Sequence, residues 1–264
     1  MIATEDGAIA ASRQVVSFCK TVSRNVSQWT SVLDLAGNPG AGTLSAGNTA
    51  NGVVPTSATA GFPAIAAFGA SATGQLEQIS FANQQTAFRM KLFDLLFRCG
   101  AYAFNNGLTT LASQPSFSTR VPGGTDYSNT QIWIEIVTAF TGSPTITVTY
   151  TNGTGTTGRT TGGQALFSGF PLGRCIQMPF QSGDSSVRKI ESVTSTGGSA
   201  GTFNVFIARP LWSGGVVVAN RRAVHDFAKT MAPVVYADSA LYVLIAGTSV
   251  ITGLPDIDFV IANG

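Results

Sequence analysis

Strict alternation of apolar and polar residues in the second half of the chain is the feature that most constrains its fold. The segment QIWIEIVTAF, residues 131–140, carries isoleucine at every second position of its first half. The segment TITVTYT, residues 145–151, alternates apolar residues with threonine. A period of two with one apolar face is typical of antiparallel strands that cover a core. These segments therefore predict a sheet.

Further strands are predicted wherever a similar pattern lies between turn signals. They are Gln164–Phe167, Cys175–Phe180, Val187–Thr196, Thr202–Arg209, Ala240–Ala246 and Ile257–Ala262. Many short strands separated by turns are typical of a sandwich, here of jelly-roll type. The segment Val216–Thr230 is ambiguous and leaves room for a short helix.

Two segments predict helices. The first runs from Thr4, which can cap it, to about Val26, and its apolar residues fall mainly on one face: Ile9, Val15, Val16, Cys19 and Val22. The second runs from Thr86 to Phe104 and has an apolar stripe of Phe88, Leu92, Leu95, Leu96 and Cys99. The predicted fold class is therefore mainly β: an antiparallel, jelly-roll-like β-sandwich with an N-terminal helical arm and one further helix.

The region from Gly37 to Gly74 consists largely of Gly, Ala, Ser and Thr and carries no charged residue. Such a segment has too little apolar bulk to fold alone. We therefore divide the chain into a helical arm (1–36), an extended tether (37–85) and a β-sandwich domain with a leading helix (86–264). Scattered apolar residues in the arm and tether are predicted to pack against a neighbouring protein: Phe18, Trp29, Val53, Val54, Phe62, Ile65 and Phe68.

Charged residues make up only 11% of the chain, against about 25% in an ordinary soluble domain. Charge depletion is typical of the cores of protein interfaces, so we expect copies of the chain or a partner to cover much of its surface. A monomer with a neutral polar coat is the alternative. The net charge is +2 and the basic residues are scattered, which argues against a nucleic-acid partner.

Several classes of site and location are disfavoured by residue counts. The single histidine and three widely spaced cysteines argue against a zinc site and a disulfide framework, so we expect reduced cysteines, no metal and no cofactor. The N-terminus has two acidic residues where a signal peptide would be basic. No apolar stretch approaches the roughly 18 residues needed to span a bilayer, so no membrane partner is expected.

Two short motifs invite a functional interpretation. Gly183-Asp184-Ser185 resembles a serine-hydrolase motif, but the single histidine, His225, has Asp226 as its direct neighbour, which places the acid poorly, so a turn before a strand is favoured. GTGTTG, residues 153–158, matches a dinucleotide fingerprint without the helix that should come after it, and a hairpin loop is favoured.

Two further patterns are weighed in the same way. Asp256 and Asp258 lie on one side of a predicted strand. They could bind a cation or act as an acid pair, but the interpretation that both simply face solvent is favoured. An aromatic sugar platform is the remaining alternative, with these candidates: Trp29, Tyr127, Trp133, Trp212 and Tyr236.

The segments MKLFDLLFRCGAYAFN, TRVPGG, IWIEIVTAFTGSPTITVTYTN, GRTTG, SGDSSVRKIESVTSTGGSAGTFNVFIARPLW and YADSALYVLIAGTSVITGLPDIDFVIANG lie between Met90 and Gly264. Together they resemble a family of tailed-bacteriophage virion proteins. The resemblance implies a non-enzymatic particle component, most of all a head decoration or cement protein, located in the capsid after assembly in the host bacterial cytoplasm.

Arm, tether and sandwich together suggest how such a protein would work. The sandwich would self-associate, as a trimer around a local three-fold axis, while arm and tether lie across major capsid subunits. Deleting residues 1–74 would then abolish particle binding and leave a folded sandwich. A tail, head-to-tail adaptor or fibre component, with glycan binding in the fibre case, is the alternative within the structural class, and a hydrolase using Ser185 and His225 is the alternative from another class.

Overall fold

A computed structural model describes residues 7, 10–25, 28–69, 73–198, 200–216, 218–247 and 250–263. These residues are mainly β-strands, named here in chain order: β1 (Arg13–Lys20), β2 (Val22–Asn25), β3 (Thr30–Ser31), β4 (Gly37–Asn38), β5 (Asn48–Val53), β6 (Thr73–Ala82), β7 (Phe88–Ala103), β8 (Gly107–Thr110), β9 (Gln131–Thr138), β10 (Gly142–Asn152), β11 (Arg159–Thr160), β12 (Gln164–Ala165), β13 (Cys175–Gln177), β14 (Val187–Gly198), β15 (Thr202–Val216), β16 (Ala223–His225), β17 (Val234–Tyr236), β18 (Leu241–Ala246), β19 (Val250–Gly253) and β20 (Asp256–Asn263). The helix α1 spans Phe227–Thr230, and 3₁₀ turns span Ser118–Arg120 and Pro122–Gly124.

The chain forms two compact units, and each is assembled from separate stretches of sequence. The first unit comprises residues 1–43, 56–94 and 211–264, and the second comprises residues 44–55 and 95–210. Strands β7 and β15 contribute residues to both. These units do not follow the predicted division at residues 36 and 85, because the uncharged segment is shared between the two.

The first unit contains a six-stranded sheet in the order β16-β6-β20-β1-β4, with β17 also paired to β6. Its N-terminal strand β1 lies antiparallel to the C-terminal strand β20, with a register from Arg13↔Ala262 to Cys19↔Asp256. Strand β18 pairs with β3 and with the first half of β7, and β19 pairs with β2. The apolar faces enclose a core that includes Phe18, Phe81 and Phe259.

The second unit contains the sheet β11-β10-β14-β8, with β12 also paired to β10. Strand β9 pairs antiparallel with β13 and with residues 202–208 of β15. The isoleucines of β9 and the apolar residues of β10 and β14 enter the core, as the sequence predicts, and Ile134, Val148 and Val193 are fully buried. In β9 the intervening Trp133 and Glu135 are buried as well. The antiparallel, mainly β class is therefore confirmed, whereas the jelly-roll order stays a prediction.

The predicted N-terminal helical arm is wrong for most of its described residues. Gly7 and Ala10 are helical, but residues 13–20 and 22–25 form β1 and β2, and Thr4 and Val26 lie outside the described residues. In β1 the period is two: Val16 and Phe18 point into the core while Val15 is exposed. A run of only eight residues is too short for periodicity to distinguish the two states, and pairing with β20 selects the strand.

The second predicted helix, Thr86–Phe104, is also wrong, because residues 88–103 form the long strand β7. From Leu92 to Gly100 every residue of this strand is buried, so both of its faces lie in protein interior. A strand that is buried on both faces has consecutive apolar residues. Such a run also contains the apolar spacing expected of an amphipathic helix, which is why the sequence predicts a helix. The charged Asp94 and Arg98 are accommodated by partners: Asp94 accepts hydrogen bonds from Ser239 and Ala240 N, and Arg98 contacts Glu135.

Among the described residues, none of the helices has the length and apolar character required to cross a membrane. Cys19, Cys99 and Cys175 are not joined in disulfides; Cys99 and Cys175 are buried and Cys19 is half-buried.

Candidate interaction surfaces

Gly183-Asp184-Ser185 forms a turn whose acid is structural. The Asp184 carboxylate accepts hydrogen bonds from the Tyr150 hydroxyl, Asn152 Nδ2 and Arg159 Nε, each at 2.8 Å. Burial disfavours the carboxylate, but these side-chain hydrogen bonds outweigh it and hold the pKa of Asp184 below its ordinary value. Ser185 is exposed beside it. Asp184 therefore closes the turn and ties it to β10 and β11.

The strand after this turn confirms the turn interpretation. Strand β14 begins at Val187, and Val187, Ile190 and Val193 enter the core as the alternation predicts. The GTGTTG segment is likewise the hairpin loop between β10 and β11, which pair through Tyr150↔Arg159.

His225 belongs to the first unit and is packed between aromatic rings. Its ring centroid lies 5.5 Å from that of Phe81 and 5.0 Å from that of Trp212. Desolvation lowers the pKa of His225, Lys229 lowers it further, and Asp226 opposes both. The imidazole is thus held mainly by apolar rings, while Asp226 begins α1.

The paired acids Asp256 and Asp258 lie on one side of β20, as predicted, and Arg222 neutralises both. Nη2 of its guanidinium forms an ion pair with Asp256. Nη1 donates to Asp258 Oδ2 at 2.8 Å and to Ser80 Oγ at 2.6 Å. Ser17 Oγ donates to the other oxygen of Asp258 at 2.8 Å. Over the described ranges, no group of three or more His, Cys, Asp or Glu side chains is placed to hold a metal ion.

Most residues predicted to contact a neighbouring protein instead pack within this chain. Phe18, Phe62 and Phe68 are buried, and the Phe62 ring centroid lies 6.2 Å from that of Tyr242. Val54 and Ile65 are half-buried against the cores of their own units. This corrects the expectation that the segment offers exposed apolar contacts, because folding has already removed these side chains from water.

The remaining two predicted contacts are half-buried. Val53 ends β5, and Trp29 lies beneath two cations, with Lys91 Nζ 4.8 Å and the Arg89 guanidinium 5.4 Å from a ring centroid. Trp29 is thus already engaged in cation–π contacts.

Two glycines of the uncharged segment, Gly42 and Gly61, serve close packing. A Cβ at Gly42 would lie 2.6 Å from Ala60 O, and one at Gly61, where φ is +94°, would lie 2.7 Å from Gly42 Cα. The two backbones approach because neither residue has a side chain. At these two positions, glycines that suggest a flexible tether instead allow the backbone to pack closely.

Three of the aromatics proposed as a sugar platform are also buried. Trp133, Trp212 and Tyr127 have at most 7% of their surface exposed, while Trp29 and Tyr236 are half-buried. The three buried rings are not accessible for stacking on a sugar.

Exposed apolar side chains lie elsewhere. In the first unit, Val224 of β16, Phe227 at the start of α1 and Met231 just after it form a surface that we call the apolar knob. Phe227 is 56% exposed and Met231 is 83% exposed. The two are one helical turn apart, since Met231 N donates to Phe227 O, and α1 is anchored by Thr230 Oγ1, which donates to Leu76 O at 2.9 Å.

The second unit has an exposed apolar loop of its own between β12 and β13. Phe167 is 64% exposed and Leu172 is 44% exposed, whereas Phe170 between them packs against the core. The Arg174 guanidinium lies 3.3 Å from the centroid of the Phe170 ring and holds this part of the loop.

Both exposed surfaces were missed from the sequence. Phe227 lies in the ambiguous segment Val216–Thr230 and Met231 comes just after it, so their spacing of four residues was the available signal. Nothing in the local pattern distinguishes an exposed Phe167 from a buried strand residue.

Comparisons with known proteins do not assign this chain to a family. No protein-family model and no curated protein matches the chain. The VP2 subviral particle of infectious bursal disease virus has a TM-score of 0.21 and 11% identity, covering 96% of this chain and 79% of that chain. The stem and receptor binding domain of spike protein P1 from bacteriophage PM2 has a TM-score of 0.13 and 9% identity, covering 95% and 97%. TM-scores this low do not establish a common fold.

Proposed function

We propose that this chain is a non-enzymatic structural protein of a virus particle. Within that class we propose a capsid decoration or cement protein of a tailed bacteriophage, which self-associates and bridges major capsid subunits. The sequence resemblance between Met90 and Gly264 supports the class. The apolar knob on a chain with 11% charged residues carries the proposal of binding through a surface.

The strength of one such contact favours binding in many copies. Full burial of a Phe or Met side chain stabilises a complex by about 1.5–3 kcal/mol. Association costs about 4–15 kcal/mol in lost translational and rotational freedom. Full burial of all three knob side chains contributes about 4.5–9 kcal/mol, which is no more than comparable to this cost, so one knob gives at most weak attachment. An oligomer that presents several knobs to a symmetric shell gains avidity. Self-association and attachment are thus linked in this proposal.

Copy number per purified particle is the measurement that tests the role. Quantitative mass spectrometry against the main shell protein should give near-stoichiometric abundance. A handful of copies would instead favour the alternative tail, head-to-tail adaptor or fibre role. Absence from particles would overturn the virion proposal.

Substitution within the knob tests the contact itself. Phe227→Ser should weaken attachment of the purified protein to particles that lack it by about tenfold or more, because the lost apolar burial is worth at least about 1.5 kcal/mol. Ala228→Ser is the matched control, since Ala228 is exposed on the same helix and is already small. Co-sedimentation would measure both. Equal attachment of the two variants would contradict a role for the knob.

A further inference from the structure

The second unit has a polar cleft of about 330 Å³ that neither the core nor the apolar surfaces account for. The side chains that give it chemical character are Gln114, Ser116, Ser118, Tyr127, Arg188 and Lys189. None of its lining residues is acidic, and Asp126, the residue before Tyr127, is not part of the lining. The cleft therefore presents two cations and several neutral hydrogen-bonding groups.

A β-bulge brings the two cations to this cleft. Thr151 of β10 pairs with Lys189 and Asn152 pairs with Val187, so Arg188 is an extra residue without a partner strand residue. Neighbouring side chains of a regular strand point to opposite faces. Here Val187 is buried, whereas both Arg188 and Lys189 are exposed. Bulges that redirect a side chain in this way are common beside binding sites.

These cations differ from the arginines that are paired with acidic side chains. Arg24, Arg159 and Arg222 each bind a carboxylate. Within the described ranges Arg188 and Lys189 form no salt bridge, and the guanidinium of Arg188 lies over the Tyr127 ring, 5.4 Å from its centroid. That contact holds Arg188 in place and leaves its N–H groups for another acceptor.

The neutral groups favour a ligand with hydroxyls as well as an anion. Gln114 Oε1 accepts from Ile190 N at 2.9 Å, which fixes the amide and leaves its nitrogen to donate. Ser116 Oγ and Ser118 Oγ lie 3.1 Å apart. A volume near 330 Å³ is at the small end of ligand sites, which span about 300–1,000 Å³.

We propose that this cleft binds an anionic saccharide unit, a sugar that carries a carboxylate or a phosphate. Arg188 and Lys189 bind the anion, and the serine and glutamine side chains bind the sugar hydroxyls. Such binding goes beyond particle attachment and gives the protein a contact with acidic polysaccharide. It does not depend on the apolar knob, so either proposal can fail alone.

The experiment titrates the full-length chain with D-glucuronate, D-glucose 6-phosphate, D-glucose and inorganic phosphate, and follows backbone amide shifts by NMR. Both acidic sugars should give saturable shifts at Gln114, Ser116 and Lys189, with about tenfold weaker binding of glucose and of phosphate. Lys189→Gln should weaken acidic-sugar binding by about tenfold, and Arg221→Gln, which removes an exposed cation of the first unit, should not.

Lys189 is the primary variant because it is exposed and because the cation over the Tyr127 ring is Arg188, which this substitution leaves in place. Absence of saturable shifts with both acidic sugars would overturn the site. Equal affinity of Lys189→Gln and the unmodified chain would also overturn it. Inorganic phosphate that binds as tightly as glucose 6-phosphate would overturn the saccharide assignment.

Discussion

Met231 illustrates how a single residue can oppose the local preference of the chain. It caps the C-terminus of α1 with φ of 59°, and Ala232 comes next with φ of 42°. Glycine is the usual residue at such a position, since a Cβ there costs about 1–2 kcal/mol. A strained methionine that is 83% exposed gains nothing from burial within its own unit. Under the proposed function, this side chain contributes to the contact with another molecule.

Replacing Met231 separates stability from attachment. Met231→Gly should raise the free energy of unfolding by about 1 kcal/mol through relief of the left-handed conformation, while weakening attachment to particles. Met231→Ala removes most of the same side chain but keeps the strained backbone conformation. It should therefore weaken attachment without raising the free energy of unfolding. Urea unfolding and co-sedimentation measure the two effects. A glycine variant that attaches as well as the unmodified chain would refute the role of Met231.

At the scale of elements, β1 shows how a strand organises the loop beside it. Lys20 at its end is fully buried, and its ammonium donates to the carbonyl oxygens of Leu33, Leu35 and Gly40 at 3.3, 3.0 and 2.9 Å. A buried charge is tolerated here because three acceptors surround it. The segment 33–40 is thereby held against the sheet by a residue that the sequence assigned to the helical arm.

Replacing Lys20 tests this arrangement. Lys20→Met should lower the free energy of unfolding by about 2–4 kcal/mol, because one buried and two partly buried carbonyl oxygens lose their donor. Burial lowers the pKa of Lys20 to about 8, against an opposing contribution from Asp34. Between about pH 8 and the ordinary value of 10.5 the unfolded chain therefore holds more protons, and stability rises with pH.

The difference in free energy of unfolding between the unmodified chain and the Lys20→Met variant should therefore increase from about pH 8 to 10.5. Urea unfolding of both proteins at a series of pH values measures it. A deficit that shrinks as pH rises would contradict the lowered pKa. A variant as stable as the unmodified chain at neutral pH would contradict the role of Lys20 in holding the segment 33–40.

At the scale of the whole molecule, the N-terminal third is part of both units rather than an appendage. Strand β1 lies between β20 and β4 in the first unit. In the second, Leu44 O accepts from Asn204 and Arg98, and Pro55 O accepts from the buried Arg120. Both units therefore require residues that the sequence assigned to an arm and a tether.

Truncation distinguishes an N-terminal third that is part of both units from a separate arm and tether. A chain that lacks residues 1–74 should fail to fold, since it loses strands β1–β5 and the acceptors that Leu44 and Pro55 offer to the buried Arg98 and Arg120. A chain that lacks residues 1–11 keeps every strand and should fold normally. Circular dichroism and size-exclusion chromatography compare them. A stable, soluble 75–264 fragment would restore the interpretation of a separate sandwich.

The sequence by itself determined β9, β10, β12, β13, β14, β18, β20 and the first part of β15, because an apolar pattern between turn signals is a local signal that needs no knowledge of the partner strand. It left the segment with β16 ambiguous and did not predict β11, β17 or β19. It also identified the turn at Asp184 and the hairpin after β10 from turn residues alone.

Only the tertiary structure decided the state of β1 and β7, the burial of Phe18, Phe62 and Phe68, and the exposure of Phe227 and Met231. Each depends on contacts between residues far apart in sequence: β1 pairs with β20, and two-sided burial removes the alternation of β7. The local sequence around an apolar side chain is the same whether that side chain is buried under a distant strand or exposed to water. Long-range pairing therefore decides whether it is buried.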